Sequence, residues 1–224
     1  MLQLTPDESR VLGVLIEKAL TTPDQYPLSL NAIVNGSNQK NNRDPVLTMT
    51  EDDCFVGVEG LRGKGLAIRV DTAGSRVHKY RHQAIETLRV RTGEAAVLAE
   101  LLLRGPQTLG ELRGRASRMV PMESIETVKE LLRALSAREE PMVKEIPPSP
   151  GSRAERWMQL LCPELHALES PGESPSTLST RPSEPGLGDR VTQLESEVAR
   201  LRDIIRKLAA SLGEADPFAQ GPSA

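Results

Sequence analysis

One helical pattern occurs twice in this chain, 86 residues apart: Val11, Leu12, Leu15 and Ile16 return as Val97, Leu98, Leu101 and Leu102. Each set repeats at the three- and four-residue spacing of a helix with one apolar face. The likeness continues downstream. Leu61 corresponds to Leu135, but here the separation is 74 residues, so the first copy is longer by 12. A duplicated unit in which only one copy is enlarged restricts the fold more than any other feature of the sequence.

The first copy opens at Thr5-Pro6-Asp7-Glu8. Thr5 can cap a helix, Pro6 suits the first helical position, and Glu8 closes a capping box. The spacing predicts a helix to about Leu20, ended by Thr21-Thr22-Pro23. A second short helix is expected over Leu28 to Asn35, capped by Ser29 or entered from Pro27 and stopped by Gly36. A polar loop follows from Asn38 to Pro45. Thr50-Glu51-Asp52-Asp53 opens a third helix, with Phe55, Val58 and Leu61 on one face. Strands are expected at Leu66–Val70 and Arg76–His82 about a turn at 71–75. The second copy repeats the order. Helices open at Thr92, Thr108 and Ser124, and strands are expected at Met142–Ile146 and Arg156–Leu161. Three helices followed by a hairpin is the order of a winged helix-turn-helix. The predicted fold is therefore mainly α with small β-hairpins, an α+β class: two tandem winged helices, at 1–86 and 87–165. The extra length falls in Thr21–Val46, which carries three prolines and five asparagines.

From Cys162 onward proline and serine accumulate, and residues 166–188 are expected to be a disordered linker. A heptad seam then follows within 189–213. Val191, Val198, Ile205 and Leu212 occupy a, and Leu194, Leu201 and Leu208 occupy d. β-branched a positions with Leu at d favour a parallel two-stranded coil. Arg190 faces Glu195 and Glu197 faces Arg202 across such a dimer. Residues 214–224 are expected to fray.

Charge excludes little. Residues 1–82 are neutral, 83–162 carry +1, and 163–224 carry −4. No domain is strongly basic, so nucleic-acid binding would have to rest on local patches. Cys54 and Cys162 stand far apart and outside any CxxC, which suits free thiols in a reducing cytoplasm. The N-terminus lacks a signal-peptide pattern, and no apolar stretch approaches a membrane span. Catalytic signatures are absent: no P-loop, G-x-S-x-G or dinucleotide fingerprint occurs. His78 and His82 share a strand face about 13 Å apart at ~3.3 Å per residue, too far for one metal. No enzyme, cofactor or metal is expected, and Trp157 reads as packing.

Three candidate surfaces remain. The loop residues Asn38, Gln39, Lys40, Asn42 and Arg43 carry groups that read bases and phosphates, or they close turns and caps in a long loop. The first hairpin carries Arg76, Lys79 and Arg81, a phosphate-contacting wing or an ordinary solvated one. Its basic residues are split between the two strand faces. In the second copy Arg113, Arg115 and Arg118 are the basic element. Against DNA stand Glu51, Asp52 and Asp53 at the start of the presumed recognition helix, which suit the helix dipole but repel phosphate.

Several motifs are diagnostic: Glu17-Lys18, Thr21-Thr22-Pro23, Tyr26-Pro27-Leu28-Ser29, Asn31, and Asn38-Gln39-Lys40-x-Asn42-Arg43-x-Pro45-Val46. Arg76-Val77-x-Lys79-Tyr80 and the run from Leu101 to Arg113 join them. Through these the chain resembles the YceH-like family of uncharacterised bacterial proteins over about residues 3–162. Ser37 departs from the pattern, where that family commonly shows Cys. The resemblance implies a tandem winged-helix fold in a bacterial cytoplasm and implies no activity. The expectation is a DNA-binding regulator or accessory protein dimerised by its coil. The alternative is a protein-interaction scaffold without DNA binding.

Overall fold

Among the described residues, five of the seven α-helices open on a Ser or Thr whose side chain accepts a first-turn backbone N–H: Thr5, Ser29, Thr50, Thr108 and Ser124. Thr5, Thr50 and Thr108 belong to full capping boxes closed by Glu8, Asp53 and Glu111, which satisfy two otherwise orphaned amides at each helix start. The computed structural model describes residues 2–71, 77–149, 151–166 and 202. The linker and the coil positions Val191, Leu194, Val198, Leu201, Ile205, Leu208 and Leu212 lie outside the described residues, as does Arg76.

The first repeat comprises α1 (Pro6–Thr21), β1 (Leu28–Ser29), α2 (Leu30–Ser37), α3 (Glu51–Gly63), β2 (Ala67–Val70) and β3 (Lys79–His82). A short helix α4 (Ala84–Leu88) leads to the second: α5 (Thr92–Arg104), β4 (Gln107–Thr108), α6 (Leu109–Ala116), α7 (Ile125–Ser136), β5 (Val143–Ile146) and β6 (Arg156–Gln159). The chain is mixed α+β, with two three-stranded antiparallel sheets. Their orders are β1-β3-β2 and β4-β6-β5. Leu28 pairs with Tyr80 as Gln107 pairs with Trp157, and Ala67 pairs with His82 as Val143 pairs with Gln159.

The 12 extra residues of the first copy divide into two. Leu28 and Gln107, which open β1 and β4, are 79 apart. Set against separations of 86 before them and 74 after, this places 7 extra residues between α1 and β1 and 5 between α2 and α3. The first insertion holds a 3-10 turn at Pro23–Gln25 and Tyr26, whose hydroxyl accepts the His82 N–H at 2.6 Å. The second insertion is the polar loop.

Ten consecutive residues are buried in α1, Glu8–Glu17, and ten at the equivalent positions of α5, Glu94–Leu103. A helix buried all round lies inside a core rather than on a surface. The two helices pack on each other, and the repeats share one hydrophobic core in one compact unit. Gly13 permits the close approach: a Cβ there would come within 2.8 Å of Leu103 Cγ. Lys64 pairs with Glu8 at the start of α1, and its counterpart Arg138 stands 3.9 Å from Glu94 at the start of α5. The Leu4 amide donates to the Leu161 carbonyl at 2.7 Å, so the chain entering the first repeat is tied to the end of the second.

The structure corrects several expectations. Gly36 does not stop α2, which runs on to Ser37. Gly36 is buried where a Cβ would meet Val14 Cγ1 at 2.7 Å, so its role is close packing. Phe55 does not share the core face of α3. Cys54, Val58 and Leu61 form that stripe, and Phe55 is rotated out and 46% exposed. Leu28 and Ser29 form strand rather than helix. Ordered chain also continues through a 3-10 turn at Pro163–His166. There His166 lies over Gly105, whose φ of +71° and lack of a Cβ both suit glycine.

Candidate functional site

The loop between α2 and α3 is fastened to the core by four groups. The Asn38 carboxamide grips Met49 twice, donating to its carbonyl at 2.8 Å and accepting its N–H at 2.7 Å. Arg10, fully buried in α1, donates to the carbonyls of Ser37 (3.1 Å) and Pro45 (2.6 Å). Burial, with repulsion from Arg43, pulls its pKa down to about 10 against the opposing pull of Asp44, and it stays charged at neutral pH. The Asp44 N–H donates to the Leu103 carbonyl at 2.9 Å. Arg43 turns inward, donating to the Gly36 carbonyl at 3.0 Å and forking onto Glu17 at 3.3 and 2.5 Å.

Arg43 therefore begins an ion network, buried at its carboxylates, that crosses between the repeats. Glu17 on α1 also meets Arg118 at 2.5 Å. Arg118 donates to Glu100 of α5 at 3.1 Å, and Glu100 stands 3.0 Å from Arg104 Nε. Glu17 and Glu100 are the carboxylates at the junction. Burial would raise the Glu17 pKa, but its bonds to Arg43 and the charges of Arg43 and Arg118 prevail and hold it below the ordinary value. Glu17 belongs to one of the diagnostic motifs, but neither carboxylate was expected to form a site, because their partners lie 26 and 18 residues away, outside any local pattern.

The remaining candidates are dispersed. Arg113 donates to the carbonyls of Met122 and Glu123, at 3.4 and 3.1 Å. Arg115 donates to Gln107 Oε1 at 2.7 Å and stands 3.3 Å from Glu111. Gln39 and Lys79 are half-buried, whereas Lys40, Asn42 and Arg81 are exposed. Lys40 and Arg81 form no ion pair among the described residues. On the first hairpin, Asp71 takes His78 at 2.7 Å and Arg69 at 3.2 Å. The four second-copy and loop arginines 43, 113, 115 and 118 thus hold the protein's own groups.

The outward face of α3 has a different character. Phe55 is 46% and Val56 65% exposed, beside the exposed carboxylates Glu51 and Asp52. The cysteines offer no nucleophile. Burial pushes the Cys54 thiol up to about 11 and also raises that of Cys162, so both are protonated at neutral pH. Among the described residues no cluster of three His, Cys, Asp or Glu could hold a metal, and no helix is long and apolar enough to cross a membrane.

A family model described as a protein of unknown function, DUF480, matches residues 4–152. The chain belongs to the DUF480 family. This agrees with the resemblance read from the Asn38–Pro45 motif, which the DUF480 match spans together with both ends of the Glu17–Arg118 pair. A UPF0502 protein of Citrifermentans bemidjiense is 42% identical over 227 residues, covering 97% of this chain and 99% of that protein. Another, from Koribacter versatilis, is 44% identical over 198 residues, covering 88% and 90%. A third, from Burkholderia ambifaria, is 40% identical over 214 residues, covering 94% and 90%. The likeness to the Citrifermentans protein thus extends over nearly the whole chain, well past the end of the DUF480 match.

Proposed function

We propose that each repeat is a winged helix, with β2–β3 and β5–β6 as the wings, and that the pair forms a protein-interaction module. Its docking surface is the outward face of α3, and its partner is a basic, amphipathic protein segment. The observation that carries this reading is the pairing of exposed Phe55 and Val56 with exposed Glu51 and Asp52. Apolar side chains with two carboxylates one helical turn before them suit a helix with an apolar stripe and Lys or Arg beside it. The same carboxylates, on the helix that a winged helix would lay in the major groove, repel phosphate.

DNA binding is the competing reading, with Lys40, Asn42 and Arg81 as its remaining exposed groups. Selection of peptides from a displayed library against the full chain separates the two. The docking reading expects basic amphipathic peptides whose binding is lost in Phe55→Ser and in the charge reversal Glu51→Lys/Asp52→Lys. It fails if the chain instead retains DNA fragments with a steep salt dependence that Lys40→Glu and Arg81→Glu abolish while Phe55→Ser leaves it intact.

We further propose that residues 191–212 pair two chains as a parallel coil, a reading supported by the Val/Ile-at-a, Leu-at-d pattern. Sedimentation of the full chain should then give a dimer, and truncation after Leu165 a monomer. A full-length monomer at tens of micromolar is incompatible with it.

A further inference from the structure

Where the α2–α3 loop meets the second repeat there is a small cleft of about 120 Å³, lined by Asn42, Arg43, Asp44, Arg104 and Arg115. Three of these five residues are arginines, with Asp44 the one acid among them. Arg43 is neutralised by Glu17. Arg104 is not so well served. Its Nε is buried and 3.0 Å from Glu100 Oε1, yet it has no well-aligned acceptor, and no acceptor is hydrogen-bonded to its guanidinium among the described residues. Arg115 is anchored on one side by Gln107 and Glu111, and its side chain remains 36% exposed.

The electrostatics point the same way. Burial lowers the Arg104 pKa. Glu100 opposes this, but repulsion from Arg115, Arg118 and Arg43 adds to it. A crowd of guanidinia around a partly desolvated arginine with free donors is relieved by an anion. Arginine forks match the paired oxygens of phosphate in geometry as well as charge. The cleft is well below the ~300–1,000 Å³ of pockets that hold drug-sized ligands, so it fits a single oxyanion group and not a nucleotide.

We propose that this cleft binds one phosphate group, held by Arg104 and Arg115 at the seam between the α2–α3 loop and α5–α6. Asn42 and Asp44, both exposed, also line the cleft: the amide of Asn42 adds a donor type, and the charge of Asp44 weakens the anion's hold. The ligand is either inorganic phosphate or the terminal phosphate of a small monoester.

The test is thermal unfolding and calorimetric titration of the full chain with sodium phosphate, against sodium chloride at matched ionic strength. A phosphate-specific rise in Tm of about 2–6 °C is expected at ten times Kd. Arg104→Gln should remove it. Because that variant strands Glu100 and can fail to fold, Arg115→Gln provides the second arm: its unliganded Tm should fall, since buried Gln107 loses its donor, and calorimetric titration of the folded variant should show phosphate affinity at least tenfold weaker. Asp44→Asn should bind phosphate more tightly, by about threefold. A parallel titration with glycerol phosphate assigns the source: equal or tighter binding marks a monoester site, and weaker binding a site for the free ion. The proposal is overturned if chloride raises Tm equally, or if Arg115→Gln and Asp44→Asn both bind phosphate with wild-type affinity.

Discussion

Arg118 Nη2 stands 2.5 Å from Glu17 Oε1, an ion pair that joins the segment after α6 to the buried helix of the other repeat. The same carboxylate neutralises Arg43, whose side chain is wholly buried. One group on α1 thus holds the polar loop of its own repeat and an arginine of the next.

Replacing Glu17 with Gln strands a buried guanidinium and should destabilise the protein by about 3–5 kcal/mol. Denaturant unfolding measures this directly. The pH dependence follows from the lowered carboxyl pKa. A depressed acid contributes stability that is complete above its unfolded value, near 4.3, and disappears as pH falls through the folded value. Stability of the native protein should therefore decline below about pH 4.5, with a shallower slope in Glu17→Gln. An unchanged slope would mean that Glu17 is not the titrating group.

Gly13 and Gly114 should respond in opposite directions. Gly13→Val drives a branched side chain into Leu103 at the α1–α5 crossing and should cost about 1–3 kcal/mol through overpacking. Gly114 lies in α6 with nothing near its missing Cβ, so Gly114→Ala should gain up to about 1 kcal/mol from helix propensity. Paired thermal melts read both.

Asn38→Ala breaks both bonds to Met49 and should lower stability by about 1–3 kcal/mol, with faster amide exchange at Met49. A residue that read DNA bases would instead leave folding unchanged and alter only binding. Stability that matches the native protein would return Asn38 to the list of contact residues.

His166 should make the end of the compact unit acid-sensitive. Its Nε2 bonds the Asp44 carbonyl at 2.6 Å, and its buried Nδ1 has no partner among the described residues. Burial holds the pKa below the ordinary value; Asp44 opposes this and Arg10 reinforces it. Protonation buries an N–H without an acceptor near a buried arginine. The contribution of His166 is therefore complete above about pH 6.5 and lost as pH falls below it. Protection of the Asp44 and Leu165 amides against exchange, corrected for the intrinsic pH dependence, should fall as pH drops below about 6.5, and His166→Ala should remove that change. Burial lowers the His82 pKa as well, so the global stability slope should only flatten.

The long helices of both copies were legible because their apolar residues recur every three or four positions, behind a Thr or Ser cap in α1, α3 and α7. Strands of two residues were not. Leu28–Ser29 and Gln107–Thr108 are too short to show alternation and are strands only because β3 and β6 pair with them. The five-residue α4 has no side-chain cap to announce it. The candidate site was harder still. An arginine in an asparagine-rich loop reads as exposed, and only the fold brings Glu17 beneath Arg43. Phe55 read as core because it shares helical spacing with Val58, but Cys54 takes the inward position.

Because α1 and α5 are each enclosed on every side, neither repeat has a water-facing back on which to survive alone. Expressed separately, residues 1–86 and 87–166 would each lay bare half of a common interior, including Gly13, Leu102 and Leu103. Such fragments should aggregate in isolation and recover solubility when made together, as two pieces of a single split protein.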